Sequence, residues 1–211
     1  MLEQEYGVLE WHPTQDPVDT LVQTILSQNT SDLNSGRAFR SLKKAFGSWE
    51  AVASAPVEQV ARAIESGGLH RIKAARIQEI LRDIERRQGR VSLDFLRPLS
   101  MPEAHDFLMG LPGVGHKTAA CVLLFSLGKP ALPVDTHVFR VARRLGLLEP
   151  GTGIEQAHSV LRERIAPAKV YQFHLHMIEH GRRVCHARRP RCGECVLRPG
   201  CPASTQWYGS D

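Results

Sequence analysis

The spacing of apolar residues along the chain predicts α-helices throughout. These residues recur every three or four positions, which places them on one face of a helix. Three segments show this period clearly: Val18, Leu21, Val22, Ile25 and Leu26; Ile77, Ile80, Leu81 and Ile84; and Val138, Val141, Ala142 and Leu145. No segment alternates convincingly as a β-strand would. The pattern therefore predicts an all-α fold of about ten short helices.

Glycine and proline clusters separate the predicted helices. Such clusters stand at residues 66–68, 111–115, 128–130 and 149–153, and each marks a turn. The segment between about residues 17 and 132 is predicted to form one helical layer. The remainder leads to a cysteine cluster near the C-terminus.

Composition adds a weak preference for an anionic partner. With 211 residues the chain is expected to form one large domain or two small ones. Its net charge is +5 and its isoelectric point about 9.1, which alone is common among proteins without nucleic-acid partners. The charge is uneven, however, because residues 181–201 contain six Arg and one Glu.

Two features predict a cytosolic protein, or one associated with the nucleoid. The chain does not start with a basic segment and an apolar core, so no signal peptide is expected. The longest apolar run, residues 119–125, is far shorter than the roughly 20 residues that a membrane-spanning helix needs.

The stretch LPGVG, residues 111–115, predicts a tight turn between two helices. Gly113 and Gly115 tolerate unusual backbone angles and let another backbone approach closely. The following helix would then begin with accessible N–H groups, which suit a phosphate. An ordinary turn between helices would have the same sequence, and the motif alone leaves both interpretations open.

Lys117 lies in the first turn of that second helix, where the helix dipole disfavours a cation. The apolar residues 119–125 indicate that the helix is buried. Burial and the dipole both lower a lysine pKa, and a neutral amine is a nucleophile able to form a Schiff base. The alternative is a surface lysine whose ammonium reaches water.

Asp135 precedes a strongly periodic helix and is predicted to cap it. A fixed carboxylate at that position could also stabilise a cationic intermediate. On the same helix His137, Arg140 and Arg144 are predicted to lie away from the apolar face, where they would meet either phosphates or water.

Four of the five cysteines, Cys185, Cys192, Cys195 and Cys201, have the spacing C-x6-C-x2-C-x5-C. Because two disulfides are improbable in a cytosolic chain, this cluster predicts a metal site, and both zinc and a four-iron cluster accept four Cys. The first pair encloses a basic loop with three arginines that could bind phosphate: Arg188, Arg189 and Arg191. The fifth cysteine, Cys121, is predicted to be a core residue.

Together, the LPGVGHKTA hairpin, the VDTHVFRV segment and the cysteine spacing resemble the helix-hairpin-helix DNA glycosylases, most closely the endonuclease III family. The resemblance covers nearly the whole chain. It implies a helical-barrel domain at residues 17–132 and a 4Fe-4S cluster domain formed by residues 1–16 and 133–211, with a cleft between them.

The resemblance also implies base excision repair by a bifunctional enzyme. Lys117 matches the family nucleophile, which expels an oxidised pyrimidine and forms a Schiff base, and Asp135 matches the family carboxylate. β-Elimination would then cut the strand on the 3′ side of the abasic site. The implied partner is duplex DNA with a damaged base or an abasic site, and the implied state is a monomer.

The resemblance locates two loops that would fill the space left by a flipped nucleotide. In one, Asn29 takes the position where the family usually has glutamine, and Gln28 stands one residue earlier. In the other, Leu69 matches a family wedge. Capping of the next helix for Gln28 and Asn29, and a core position for Leu69, are the alternatives. His116 replaces a frequent arginine before Lys117, which removes one phosphate contact unless the histidine is charged.

Two other functions share some of these features. A monofunctional mismatch glycosylase has this fold, but such enzymes generally lack the lysine found at Lys117. A DNA-binding scaffold with a structural metal would need neither Lys117 nor Asp135.

Overall fold

The computed structural model describes residues 1–12 and 16–207. Residues 13–15 and 208–211, which the predicted domain ranges include, lie outside it. The all-α prediction is confirmed, since this part of the chain contains α-helices, short 3-10 turns and one π-helical turn, and no strand. Its twelve α-helices are α1 Leu2–Tyr6, α2 Pro17–Ser27, α3 Asp32–Phe46, α4 Trp49–Ser54, α5 Val57–Ala63, α6 His70–Gln88, α7 Met101–Met109, α8 His116–Cys121, α9 Thr136–Arg144, α10 Ile154–Arg164, α11 Val170–Arg183 and α12 Ser204–Trp207.

The chain divides into two compact units. We call Pro13–Lys129 the hairpin unit, because it contains the LPGVG turn, and Met1–His12 with Pro130–Asp211 the cysteine unit. The first holds α2 to α8, and the second holds α1 and α9 to α12.

The hairpin unit is built on the apolar faces of α2 and α6. Leu21 and Leu26 of α2 are fully buried, and this helix packs against α3 and α8. Ile77 and Ile84 of α6 are buried in the same way, and α6 packs against α4 and α5. The three-to-four-residue period therefore predicted correctly which faces form the core.

The segment after the LPGVG turn is buried, as its apolar sequence predicted. Its α-helix ends at Cys121, and the chain continues as one turn of π-helix, Val122–Ser126. Cys121 is itself a buried core residue. π-Turns of this kind are rare and often occur near functional sites.

The cysteine unit joins the two ends of the chain. Helix α11 packs against α9 and α1. Glu3 of α1 accepts a 2.8 Å hydrogen bond from the Lys169 ammonium, and the Tyr6 hydroxyl lies 2.9 Å from Nδ1 of the buried His180. None of the described helices is long and apolar enough to cross a membrane.

Candidate functional site

The LPGVG segment forms the predicted tight turn between α7 and α8. Gly113 has φ +70°, in the left-handed region, and is exposed. Gly115 is the N-cap residue of α8, which begins without a side-chain cap. The first N–H groups of α8 are therefore not bonded by a capping side chain, as an anion site would require.

Lys117 is the second residue of α8 and is half-buried. Thr118 and Ala119, which follow it, are buried, so the helix carrying Lys117 is anchored in the core of the hairpin unit. The ring of the preceding His116 stacks on His105 of α7, with centroids 5.5 Å apart and planes 22° apart. The start of α8 is thus held to α7 by side-chain contact as well as by the turn.

Asp135 caps α9, as predicted. Its Oδ1 accepts a 2.7 Å hydrogen bond from the Val138 N–H, and the side chain is half-buried. This carboxylate belongs to the cysteine unit, whereas Lys117 belongs to the hairpin unit.

Arg140 of α9 bonds α11 and the segment that follows it. The Arg140 guanidinium donates to the carbonyl oxygens of Gly181 at 2.8 Å and Cys185 at 3.0 Å, and to Nδ1 of His137 at 3.1 Å. Burial lowers the pKa of Arg140. A side chain at Gly181 would have to start 3.0 Å from Cβ of His137, so glycine permits this packing. These bonds give Arg140 a structural role, and DNA contact by His137 and Arg140 stays a prediction.

All four clustered cysteines line one cavity in the cysteine unit, with about 420 Å³ of atom-free space, part of it open to solvent. All four thiols are free. Arg144 donates to Sγ of Cys185 at 3.2 Å, and Nε2 of His180 lies 3.4 Å from Sγ of Cys195.

The four thiols around this cavity supply the ligand set of a metal centre. Zinc and a four-iron cluster both accept four Cys ligands. Burial raises the pKa of Cys192 and Cys195, and so do the neighbouring thiols. A bound cationic centre would remove that mutual repulsion.

The basic loop between Cys185 and Cys192 is held at its base by Arg144. The Arg144 guanidinium donates to the carbonyl oxygens of His186 at 2.6 Å and Ala187 at 3.1 Å. Arg189 has φ +50°. The three predicted phosphate-binding side chains are exposed: Arg188, Arg189 and Arg191.

The two predicted gap-filling loops both belong to the hairpin unit. Asn29 is exposed with φ 52°, and Leu69 is 54% exposed with φ 49°. The core interpretation of Leu69 is therefore wrong. The capping interpretation of Gln28 and Asn29 is wrong as well, because Ser31 caps α3 by accepting from the Asn34 N–H.

Lys73 is a residue that the motifs did not single out. Its ammonium is buried and donates to the carbonyl oxygens of Leu26 at 2.7 Å and Gly67 at 2.8 Å. It thereby ties the loop that carries Asn29 to the loop that carries Leu69. The sequence contained a signal, since Lys73 stands four residues before Ile77 on the buried face of α6.

Comparisons with known proteins agree with this geometry. Residues 22–167 match the family model described as "HhH-GPD superfamily base excision DNA repair protein". Residues 185–201, which contain the four cysteines, match "Iron-sulfur binding domain of endonuclease III".

Three individual proteins illustrate the similarity. The chain is 37% identical to endonuclease III of Thermotoga maritima over 90% of this chain and 84% of that protein. It is 37% identical to a putative DNA glycosylase of Arabidopsis thaliana over 86% of this chain, but it spans only 60% of that protein's length. A solved structure of a trapped covalent endonuclease III–DNA intermediate superposes with a TM-score of 0.82 at 28% identity, covering 97% of this chain and 92% of the other.

Proposed function

Because the chain belongs to the HhH-GPD superfamily of base excision DNA repair proteins, we propose that it removes oxidised pyrimidines from duplex DNA. It is a DNA glycosylase and abasic-site lyase of the endonuclease III type. Lys117 is proposed as the nucleophile and Asp135 as its supporting carboxylate.

The position of Lys117 carries the proposal. A half-buried amine in the first turn of α8 stands directly behind an open glycine turn. A phosphate on that turn would bring the sugar of the same nucleotide strand near the amine. The structurally similar endonuclease III has been trapped as a covalent intermediate with DNA, which supports a nucleophilic mechanism for this chain as well.

The chemistry begins with extrusion of the damaged nucleotide, because a stacked base cannot be reached. The lone pair of Lys117 Nζ attacks C1′ of the sugar, and the bond from C1′ to the base breaks with its electron pair leaving on the base. Asp135 stabilises the positive charge that develops on the sugar. Its cap on α9 holds the carboxylate in one orientation.

Ring opening then gives a Schiff base between Lys117 and C1′. The iminium acidifies the C2′ proton, and removal of that proton expels the 3′ phosphate by β-elimination. Hydrolysis of the remaining imine returns the free amine. Lys117 thus serves in both the glycosylase and the lyase step.

The iron–sulfur cluster is proposed to act away from these steps. Cys185, Cys192, Cys195 and Cys201 would hold it, and when bound it would cross-link the basic loop at both ends. The exposed arginines of that loop are then proposed to contact DNA phosphates. The enzyme is proposed to act as a monomer on chromosomal DNA in the cytoplasm.

Borohydride trapping tests the proposal. Wild-type protein, incubated with duplex DNA containing thymine glycol and reduced with borohydride, is expected to form a covalent complex because the Schiff base becomes a stable amine. Lys117→Ala should form none, whereas Lys44→Ala, which removes an exposed lysine of α3, should match the wild type. A wild type that removes the base without trapping would instead indicate a monofunctional glycosylase.

A further inference from the structure

Arg76 of α6 holds the side chain of Gln28. Its Nη1 lies 3.2 Å from Oε1 of Gln28, and both residues are half-buried. Because a guanidinium can only donate, the amide oxygen of Gln28 must face it. The amide oxygen of Gln28 is therefore occupied within the hairpin unit.

The same arginine lies against the glycine hairpin. A Cβ added to Gly113 would stand 3.2 Å from Nε and 3.4 Å from Cδ of Arg76. The missing side chain at Gly113 consequently does more than permit the positive φ of the turn, since it leaves room for Arg76 to pass. Arg76 thus contacts the hairpin and binds the Gln28 loop.

Lys73 fixes the backbone of that loop from one turn earlier on α6. Its ammonium bonds Leu26 O, two residues before Gln28, and Gly67 O, two residues before Leu69. Residues three apart on a helix are surface neighbours. Lys73 and Arg76 therefore restrain the loop together, one through the backbone and one through the Gln28 side chain.

Asn29 is placed differently from Gln28. It is exposed, and its backbone lies in the left-handed region with φ 52°. Within residues 1–12 and 16–207 no hydrogen bond holds its amide. Its donors and acceptor are thus available to a bound base.

We propose that Arg76 is a positioning residue that restrains Gln28, so that Asn29 enters the space left by the flipped nucleotide and reads the opposite base. This inference rests on the proposed function. Removal of Arg76 releases Gln28 to compete with Asn29 for that space. If the Gln28 side chain is then removed as well, the competition ends. A merely structural role of Arg76 would not predict this recovery.

Single-turnover base removal tests this inference on thymine glycol placed opposite each of the four normal bases. The readout is the spread of the rates, which is the ratio of the fastest to the slowest rate among the four duplexes. Asn29→Ala should narrow that spread by about tenfold, the effect of one lost hydrogen bond to a base. Gln28→Ala should retain the wild-type spread, and Arg76→Met should change it.

The double variant Arg76→Met with Gln28→Ala provides the decisive comparison, because it should restore the wild-type spread. Arg62→Met, which removes an exposed arginine of α5, controls for loss of charge. A narrowed spread in Gln28→Ala together with an unchanged one in Asn29→Ala overturns the inference. So does a double variant that behaves like Arg76→Met alone. If Arg76→Met fails to fold, Arg76→Gln takes its place, alone and combined with Gln28→Ala, and the same two outcomes decide.

Failure of this inference is distinguishable from failure of the proposed function. In the first case the wild-type protein removes thymine glycol and is trapped by borohydride, but the opposite-base spread does not respond to Asn29. In the second, the wild type neither removes the base nor is trapped.

Discussion

Oδ1 of Asp135 accepts a 2.7 Å hydrogen bond from the backbone N–H of Val138. One carboxylate oxygen therefore serves as the N-cap of α9, while the other lies outside this bond. The same side chain supports the helix and supplies a negative charge at its start, and these two roles respond differently to substitution.

Asp135→Asn should separate the two roles. Asparagine retains an oxygen for the cap but has no charge, so the thermal midpoint should remain close to that of the wild type. Single-turnover base removal should fall by about 100-fold, the scale of losing one preorganised electrostatic contact in a transition state. Asp135→Ala should slow base removal by a similar factor. It should also lower the free energy of unfolding by about 1 kcal/mol, because the cap is lost. Full activity of the Asp135→Asn variant would show that the Asp135 carboxylate takes no part in the mechanism.

Leu69 is expected to act as a wedge that is held in a strained conformation. Its φ of 49° is unfavourable for a branched side chain. Leu69→Gly should leave the free energy of unfolding within about 0.5 kcal/mol, because relief of this strain offsets the backbone entropy of glycine. Base removal from duplex DNA should nevertheless slow.

The matched control for Leu69 is Ile154→Ala, which removes an exposed apolar side chain of α10. Urea denaturation and single-turnover rates would be measured for both variants. Equal rates for Leu69→Gly and the wild type would show that Leu69 takes no part in flipping.

The basic loop should contribute to the salt dependence of DNA binding. Arg188→Gln removes one exposed positive charge without changing the cysteines. Each lost phosphate contact should reduce the slope of log K against log salt by about 0.9 for duplex DNA. Fluorescence anisotropy at several salt concentrations measures this slope. Arg62→Gln, on exposed α5 surface, should leave it unchanged, and an unchanged slope for Arg188→Gln as well would contradict loop contact.

The purified protein should contain iron, with visible absorption from a 4Fe-4S cluster. Cys195→Ser should lose most of the iron, because one of four thiolate ligands is replaced. DNA affinity should then fall, since the basic loop is no longer cross-linked at both ends. Elemental analysis and anisotropy measure the two effects, and Cys121→Ser, in the hairpin unit, should retain the iron. Zinc in place of iron would refute the cluster.

Lys73 should make the free energy of unfolding depend on pH in the alkaline range. Burial lowers its pKa below the ordinary value of 10.5. Between the lowered and the ordinary pKa the unfolded chain binds more protons than the folded one, so stability should rise with pH in that window. Urea denaturation at several pH values below about 10.5 would reveal this slope. Lys73→Met should lack this contribution and should also be less stable, because the Leu26 carbonyl loses its donor.

An identical pH slope in the wild type and Lys73→Met would contradict the assignment. Lys44→Met is the control, since Lys44 is exposed on α3, and it should retain the wild-type slope.

The chain's own pattern was sufficient for its local structure. Leu21 and Ile77 lie on the faces that the period assigned to the core, and Asp135 caps its helix as predicted. Helical periodicity and capping depend on residues within one or two turns, so they can be predicted from residues that are close in sequence. The cysteine spacing likewise indicated a metal centre but left zinc and iron open. The match of residues 185–201 to the iron–sulfur binding domain of endonuclease III decided for iron.

Other features were decided only by the tertiary structure. Arg140 was expected to meet phosphate or water, yet it bonds Cys185, 45 residues away. Lys73 bonds Leu26, 47 residues away, and Arg76 bonds Gln28, 48 residues away. Which helices pack together determines whether a polar side chain finds a buried carbonyl or solvent. The sequence by itself therefore determined the helices, the hairpin and the chemical groups of the candidate site. Packing of distant segments decided which of those groups are bound within the protein and which are available to DNA.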